Sequence, residues 1–156
     1  MGKTTTEFIS KLTAHKAKCA LCVHNILDAA TPLSHYREQM AGFIKQMDAV
    51  TEHYIPGGHR PQNFDERVID NDPRYKKASA DYDAVEKRYT ALHLKTEEAK
   101  KTLKGSLKEL SATTDLFDAY VKKKEKAWLG SKNSVPVAKA AIASSRAYIT
   151  SCNGIA

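Results

Sequence analysis

Cys19 and Cys22 are spaced as Cys-x-x-Cys, with His24 two residues further on. That spacing can hold a metal ion or pass between dithiol and disulfide. A four-ligand site needs more, and the chain has no second Cys-x-x-Cys and no His-x-x-x-His. Cys19 also falls on an apolar repeat, where a free cysteine behaves as a small hydrophobe. His15, His24, His35 and His53 are scattered along or at the end of the first long segment. Neither a metal nor a cofactor is expected. Acid–base chemistry fares no better. Asp81 and Asp83 are two apart, so on a helix they face apart. Glu97 and Glu98 are neighbours that water can solvate. There is no glycine-rich phosphate loop and no nucleophile beside its own base. The chain reads as a non-enzyme with no catalytic residues.

The remaining chemistry is positive charge. Net charge is +7, and residues 73–128 hold 14 Lys and Arg against 9 Asp and Glu. Lys100, Lys101, Lys104 and Lys108 sit on adjoining turns. Lys122, Lys123, Lys124 and Lys126 form a denser group beside Trp128 and Lys132. Such groups suit an anionic membrane, nucleic acid or an acidic protein. Solvation of an exposed helix is the plainer alternative. Near an anionic bilayer each basic side chain contributes ~1 kcal/mol. Trp128 suits a membrane–water interface, or it caps the end of a helical bundle.

Met1-Gly2-Lys3-Thr4-Thr5-Thr6 fits the N-myristoylation pattern, with Gly2 as the acylated residue. One acyl chain anchors marginally and needs a basic patch beside it. The N-terminus lacks the apolar core of a secretory signal. No apolar run reaches the ~18 residues of a spanning helix. The expected location is cytoplasmic, peripheral to a membrane.

These residues must be positioned by helices. Strand-like alternation is absent, so the expected class is all-α. Tyr75, Tyr82, Tyr89, Thr96, Leu103, Leu110 and Phe117 recur every seven residues. Leu12, Cys19, Ile26, Leu33, Met40, Met47 and Tyr54 do the same in the first segment. Sustained heptads keep one seam on a partner helix. Asp72-Pro73 reads as a cap followed by a first-turn proline, and Gly130 as the residue after a helix. Pro32 costs ~3 kcal/mol inside a helix, yet the repeat stays in phase across it. The expectation is one domain over 1–156. Its first helix covers about 7–54, kinked near 32, and a connector follows at 55–71. A second helix covers about 72–129, roughly 84 Å at ~1.5 Å per residue, and a third about 136–152. In the connector, Phe64, Val68 and Ile69 are expected to form one docked turn. Together these make an elongated antiparallel three-helix coiled-coil bundle with two long helices and a short third.

Asp81-Tyr82-Asp83, the basic pair Lys87 and Arg88, the charged stretch Lys95 to Leu110, and Phe117-Asp118 give the second helix a texture. It resembles the second helix of BAR domains, the crescent-shaped membrane-binding dimers. Phe8-Ile-Ser-Lys11-Leu12 and the break from Tyr54 to Gly57 resemble their first helix. The likeness covers about 8–128. This chain is shorter than BAR domains generally are, and its third helix is truncated. The resemblance implies dimerisation and membrane binding through basic residues on one face.

The expected function is therefore a peripheral membrane-binding or membrane-shaping homodimer on anionic phospholipid. Its bundle or dimer seam is Leu12, Ile26, Leu33, Met40, Met47, Tyr75, Tyr82, Tyr89, Leu103, Leu110 and Phe117. Two alternatives stand beside it. One is a coiled-coil scaffold whose open seam accepts a partner protein's helix. The other is a basic helical nucleic-acid-associated protein, disfavoured because the tyrosines lie on the seam and not among the lysines.

Overall fold

The computed structural model describes residues 3–125 and 134–156. It is all-helical, with no strand among the described residues. Four α-helices follow in order: α1 (Lys3–Tyr54), α2 (Arg67–Asn71), α3 (Pro73–Glu125) and α4 (Ser134–Asn153), with a 3-10 turn at Pro56–Gly58. α1 starts ahead of the expected position 7 and runs through Pro32. Leu33, next to the proline, is buried, so packing offsets the lost backbone hydrogen bond.

The chain forms two compact units, and α1 and α3 contribute to both. Unit 1 comprises Met1–Leu27 and Thr96–Ala156. Here three helices enclose a continuous apolar interior. Leu12 of α1 meets Leu110, Phe117 and Val121 of α3 and Ala138 and Ile142 of α4. Phe8 stacks on Phe117 with ring centroids 4.8 Å apart. One layer on, Cys19, Cys22 and Ile26 pack with Leu103, Leu107 and Cys152. Rising numbers in α1 meet falling numbers in α3, so the pair is antiparallel within this unit.

Unit 2 is Asp28–Lys95. It has two long helical segments and the short α2. Val50, Ile55 and Ile69 form its core, with Tyr54, Phe64 and Tyr75 packed against them. Met40, Met47, Tyr75, Tyr82 and Tyr89 are only half-buried, because a third long helix is missing here. Val68 does not join the docked turn expected with Phe64 and Ile69; it is 44% exposed. Adjacent residues on a helix point about 100° apart, so a five-residue helix that buries Ile69 turns Val68 outward.

The connector is held by specific polar contacts. Gly57 and Gly58 have φ of 65° and 75°, a left-handed region that favours glycine. The Gly57 N–H donates to the Glu52 carboxylate at 2.8 Å. Asp72 caps α3, its Oδ1 accepting from the Arg74 N–H at 2.8 Å. The Arg74 guanidinium donates to both carboxylate oxygens at 3.1 and 2.9 Å. The Tyr54 hydroxyl donates to Oδ2 at 2.8 Å. Arg74 foremost, then Tyr54, holds the Asp72 carboxyl well below the usual carboxylate range. A carboxylate whose folded value is depressed contributes stability that is complete above its unfolded value of ~3.9 and is lost as pH falls below it. Asp72→Asn should therefore lower the melting temperature by roughly 2–6 °C at pH 7. The gap to wild type should narrow as pH falls from 4 towards 2. A constant gap across that range, read by circular dichroism, would show that the charge of Asp72 is immaterial.

Candidate functional site

The two units differ in charge. Unit 1 carries 15 Lys and Arg against 7 Asp and Glu, a net +8. Unit 2 carries 10 against 11, a net −1. All of the chain's excess positive charge belongs to the residues of unit 1.

Within unit 1 the basic residues fall into two groups. Some are neutralised. Lys100 lies 3.6 Å from Glu97, and Lys122 lies 3.3 Å from Asp118. Lys139 bonds Glu125 at 2.7 Å. Arg146 of α4 reaches Asp118 at 3.0 Å and Asp115 at 3.6 Å, tying α4 to α3. Arg146 foremost, with help from Lys122, holds the Asp118 carboxyl below its ordinary value. Lys16 keeps its charge but donates a hydrogen bond to the Ser144 hydroxyl at 3.0 Å.

Among the described residues a second group is open. Lys101, Lys104, Lys108, Lys123 and Lys124 are exposed, with no carboxylate in salt-bridge range among the described residues. Lys101, Lys104 and Lys108 follow i, i+3, i+7 spacing and share one face of α3. Lys122, Lys123 and Lys124 are consecutive, so they fan around the helix and present no common face. Gly2, Lys126, Trp128, Gly130 and Lys132 lie outside the described residues.

Lys104 and Lys108 also flank an open groove of about 350 Å³ between α3 and α4. Leu107 and Ile149 floor it, and Ser111 and Asn153 complete it. Two ammonium groups, a hydroxyl and an amide can bind anionic oxygens. They supply no base poised to take a proton. Among the described residues, no cluster of three or more His, Cys, Asp or Glu is arranged to hold a metal ion.

The seam residues divide along the chain. Leu12, Ile26, Leu33, Leu103, Leu110 and Phe117 are buried. Met40, Met47, Tyr75, Tyr82 and Tyr89 are half-buried in unit 2. Tyr89 accepts from the Arg37 guanidinium at 3.1 and 3.2 Å and stacks on His93.

Sequence reading missed the exposed lysines of α1 in this unit, Lys11 and Lys18. They share a face by their seven-residue spacing, which was the available signal. Ser111 and Asn153 carried no signal, since only the packing of α4 on α3 brings them to the groove. No helix of the described residues is long and apolar enough to cross a membrane. Comparison with protein-family models, curated proteins and solved structures finds no match to this chain.

Proposed function

We propose that this chain is a non-enzymatic, peripheral membrane-binding protein, built as a BAR-like antiparallel coiled coil and acting as a homodimer. The carrying observation is the charge division, +8 in unit 1 against −1 in unit 2. Within unit 1 the face of Lys101, Lys104 and Lys108 stays unpaired while other basic residues are neutralised. Free ammonium groups on one helix face meet lipid phosphates without first breaking an ion pair. Binding is electrostatic and screened over a Debye length of ~8 Å in physiological salt. The half-covered seam of unit 2 favours a second copy, since two-fold dimers are the commonest oligomers. Acylation of Gly2 would add a second, independent anchor.

Co-sedimentation with vesicles tests this reading. Vesicles rich in phosphatidylserine should retain the protein at low salt and release most of it at several hundred millimolar salt. Neutral phosphatidylcholine vesicles should not retain it. Equal recovery on both, or none on either with unmodified and myristoylated protein alike, would exclude the reading. Light scattering at micromolar concentration should give twice the mass of the 17.3 kDa chain.

A second reading has its own support. Leu94 is exposed on unit 2 and, with Ala91 and Thr90 one turn earlier, lines an open groove on α3 edged by Asp83, Glu86 and Lys87. A groove with an exposed leucine of this kind suits a partner protein's helix, and the protein is then a scaffold. A monomer by light scattering that ignores anionic vesicles would favour it.

A further inference from the structure

All three cysteines of the chain meet in one interior layer of unit 1, although they come from positions 19, 22 and 152. Each is a free thiol and each is buried. Cys19 and Cys22 lie one helical turn apart on α1, and Cys152 reaches them from the last turn of α4. Tyr148, one turn before Cys152, closes the layer, its hydroxyl donating to the Lys16 carbonyl at 3.4 Å. Its phenol is pushed up to about 12, by burial first and then by its hydrogen bond to Cys152. Packed in the same layer, Cys152 faces the stretch of α1 that carries Cys19 and Cys22.

The thiols are not grouped to grip a metal ion together. Pairwise chemistry remains. From this convergence we infer that Cys152 and Cys19 form an oxidation site, at which a peroxide converts the two thiols into a disulfide that fastens α4 to α1. This stands apart from the membrane reading.

The order of events follows from burial. The Cys19 thiol is pushed up by burial and by the neighbouring thiols Cys152 and Cys22, so it is a poor first nucleophile. Cys152 is 3% exposed but sits one residue from the end of α4, before Gly154. Helix ends fray, and fraying here uncovers its sulfur. The Cys152 thiol gives its proton to solvent, and the thiolate attacks one oxygen of hydrogen peroxide. The O–O bond breaks, hydroxide leaves and takes up a proton as water, and Cys152 becomes a sulfenic acid. The Cys19 thiol then loses its proton and attacks that sulfur. The S–O bond breaks and the second water departs. Two thiols have lost two electrons, and one peroxide has become two waters. A sulfenic acid adds a single oxygen, so α4 can re-dock to present it to Cys19.

The test treats the full-length native protein with hydrogen peroxide and reads intact mass without reductant. Wild type and Cys22→Ser should each lose ~2 Da, and peptide mapping should join Cys19 to Cys152. Cys19→Ser and Cys152→Ser should not lose that mass. In Cys19→Ser the sulfenic acid lacks the resolving partner assigned to it, so dimedone should label Cys152, and a Cys22–Cys152 bond there would overturn the pairing. The oxidised wild type should melt roughly 5–15 °C higher, because the bond closes a loop spanning most of the chain. The inference is overturned by a Cys19–Cys22 bond, by a disulfide between two molecules, or by native thiols that survive peroxide levels at which the urea-unfolded protein is oxidised. A bond between Cys19 and Cys152 that lowers the melting temperature would overturn the fastening role.

Discussion

Replacing Phe117 with alanine is expected to cost about 3–5 kcal/mol of stability. For a chain of this size that lowers the melting temperature by roughly 6–20 °C. Phe117 is fully buried. It packs with residues of α1 and α4 as well as with its own helix, and its ring stacks on Phe8. Removing it withdraws contacts from all three helices of unit 1 at once, and three packed helices cannot easily close the gap. Leu116 makes the matched control, being its neighbour and 65% exposed. Leu116→Ala should change stability by no more than ~0.5 kcal/mol. Thermal melts of the two variants side by side decide the matter. If they coincide, the three-helix core is not what holds unit 1 together.

Phe117 also shows how far the sequence could be read. Its place in a seven-residue series announced a buried helical seam, and the series Leu103, Leu110, Phe117 is buried throughout. The same arithmetic placed Tyr75, Tyr82 and Tyr89 on that seam, and they are only half-covered. Periodicity reports which side of a helix faces a neighbour. It does not report how many neighbours there are, and unit 2 has no counterpart of the α4 that packs in unit 1. Asp72 was legible as a cap because capping is local. Its bond with Tyr54 was not, since it depends on how the connector folds back.

The charge division was hidden for a related reason. Counted helix by helix, the second long segment appears basic throughout. In the folded chain its first part belongs to a unit of net −1 and its later part to one of +8. Lys11 and Lys18 join the basic side only because the start of α1 packs on the end of α3. The boundary cuts across both helices, so no scan along one segment reveals it. The texture that resembles BAR helices has a packing role in this molecule as well. Phe8 and Phe117 stack in the core, and Asp118 anchors Arg146.

Neutralising Lys101, Lys104, Lys108, Lys123 and Lys124 together should abolish retention on anionic vesicles. At ~1 kcal/mol per basic side chain near an anionic surface, five changes amount to about 5 kcal/mol, a loss of roughly three orders of magnitude in partitioning. The groups are exposed and make no ion pair among the described residues, so glutamine should leave helicity and melting temperature nearly unchanged. A second variant separates a specific face from bulk charge. Arg74, Lys76, Lys77, Lys87 and Arg88 are exposed basic residues of unit 2. Arg74 is excluded from substitution because it holds Asp72, and exposed Lys45 takes its place. If only total charge matters, the two five-fold variants weaken binding alike. If unit 1 is the contact surface, the unit 2 variant retains most of its binding. Equal losses would disprove the site while leaving electrostatic attraction intact, and unchanged binding in both would remove electrostatics from the account altogether.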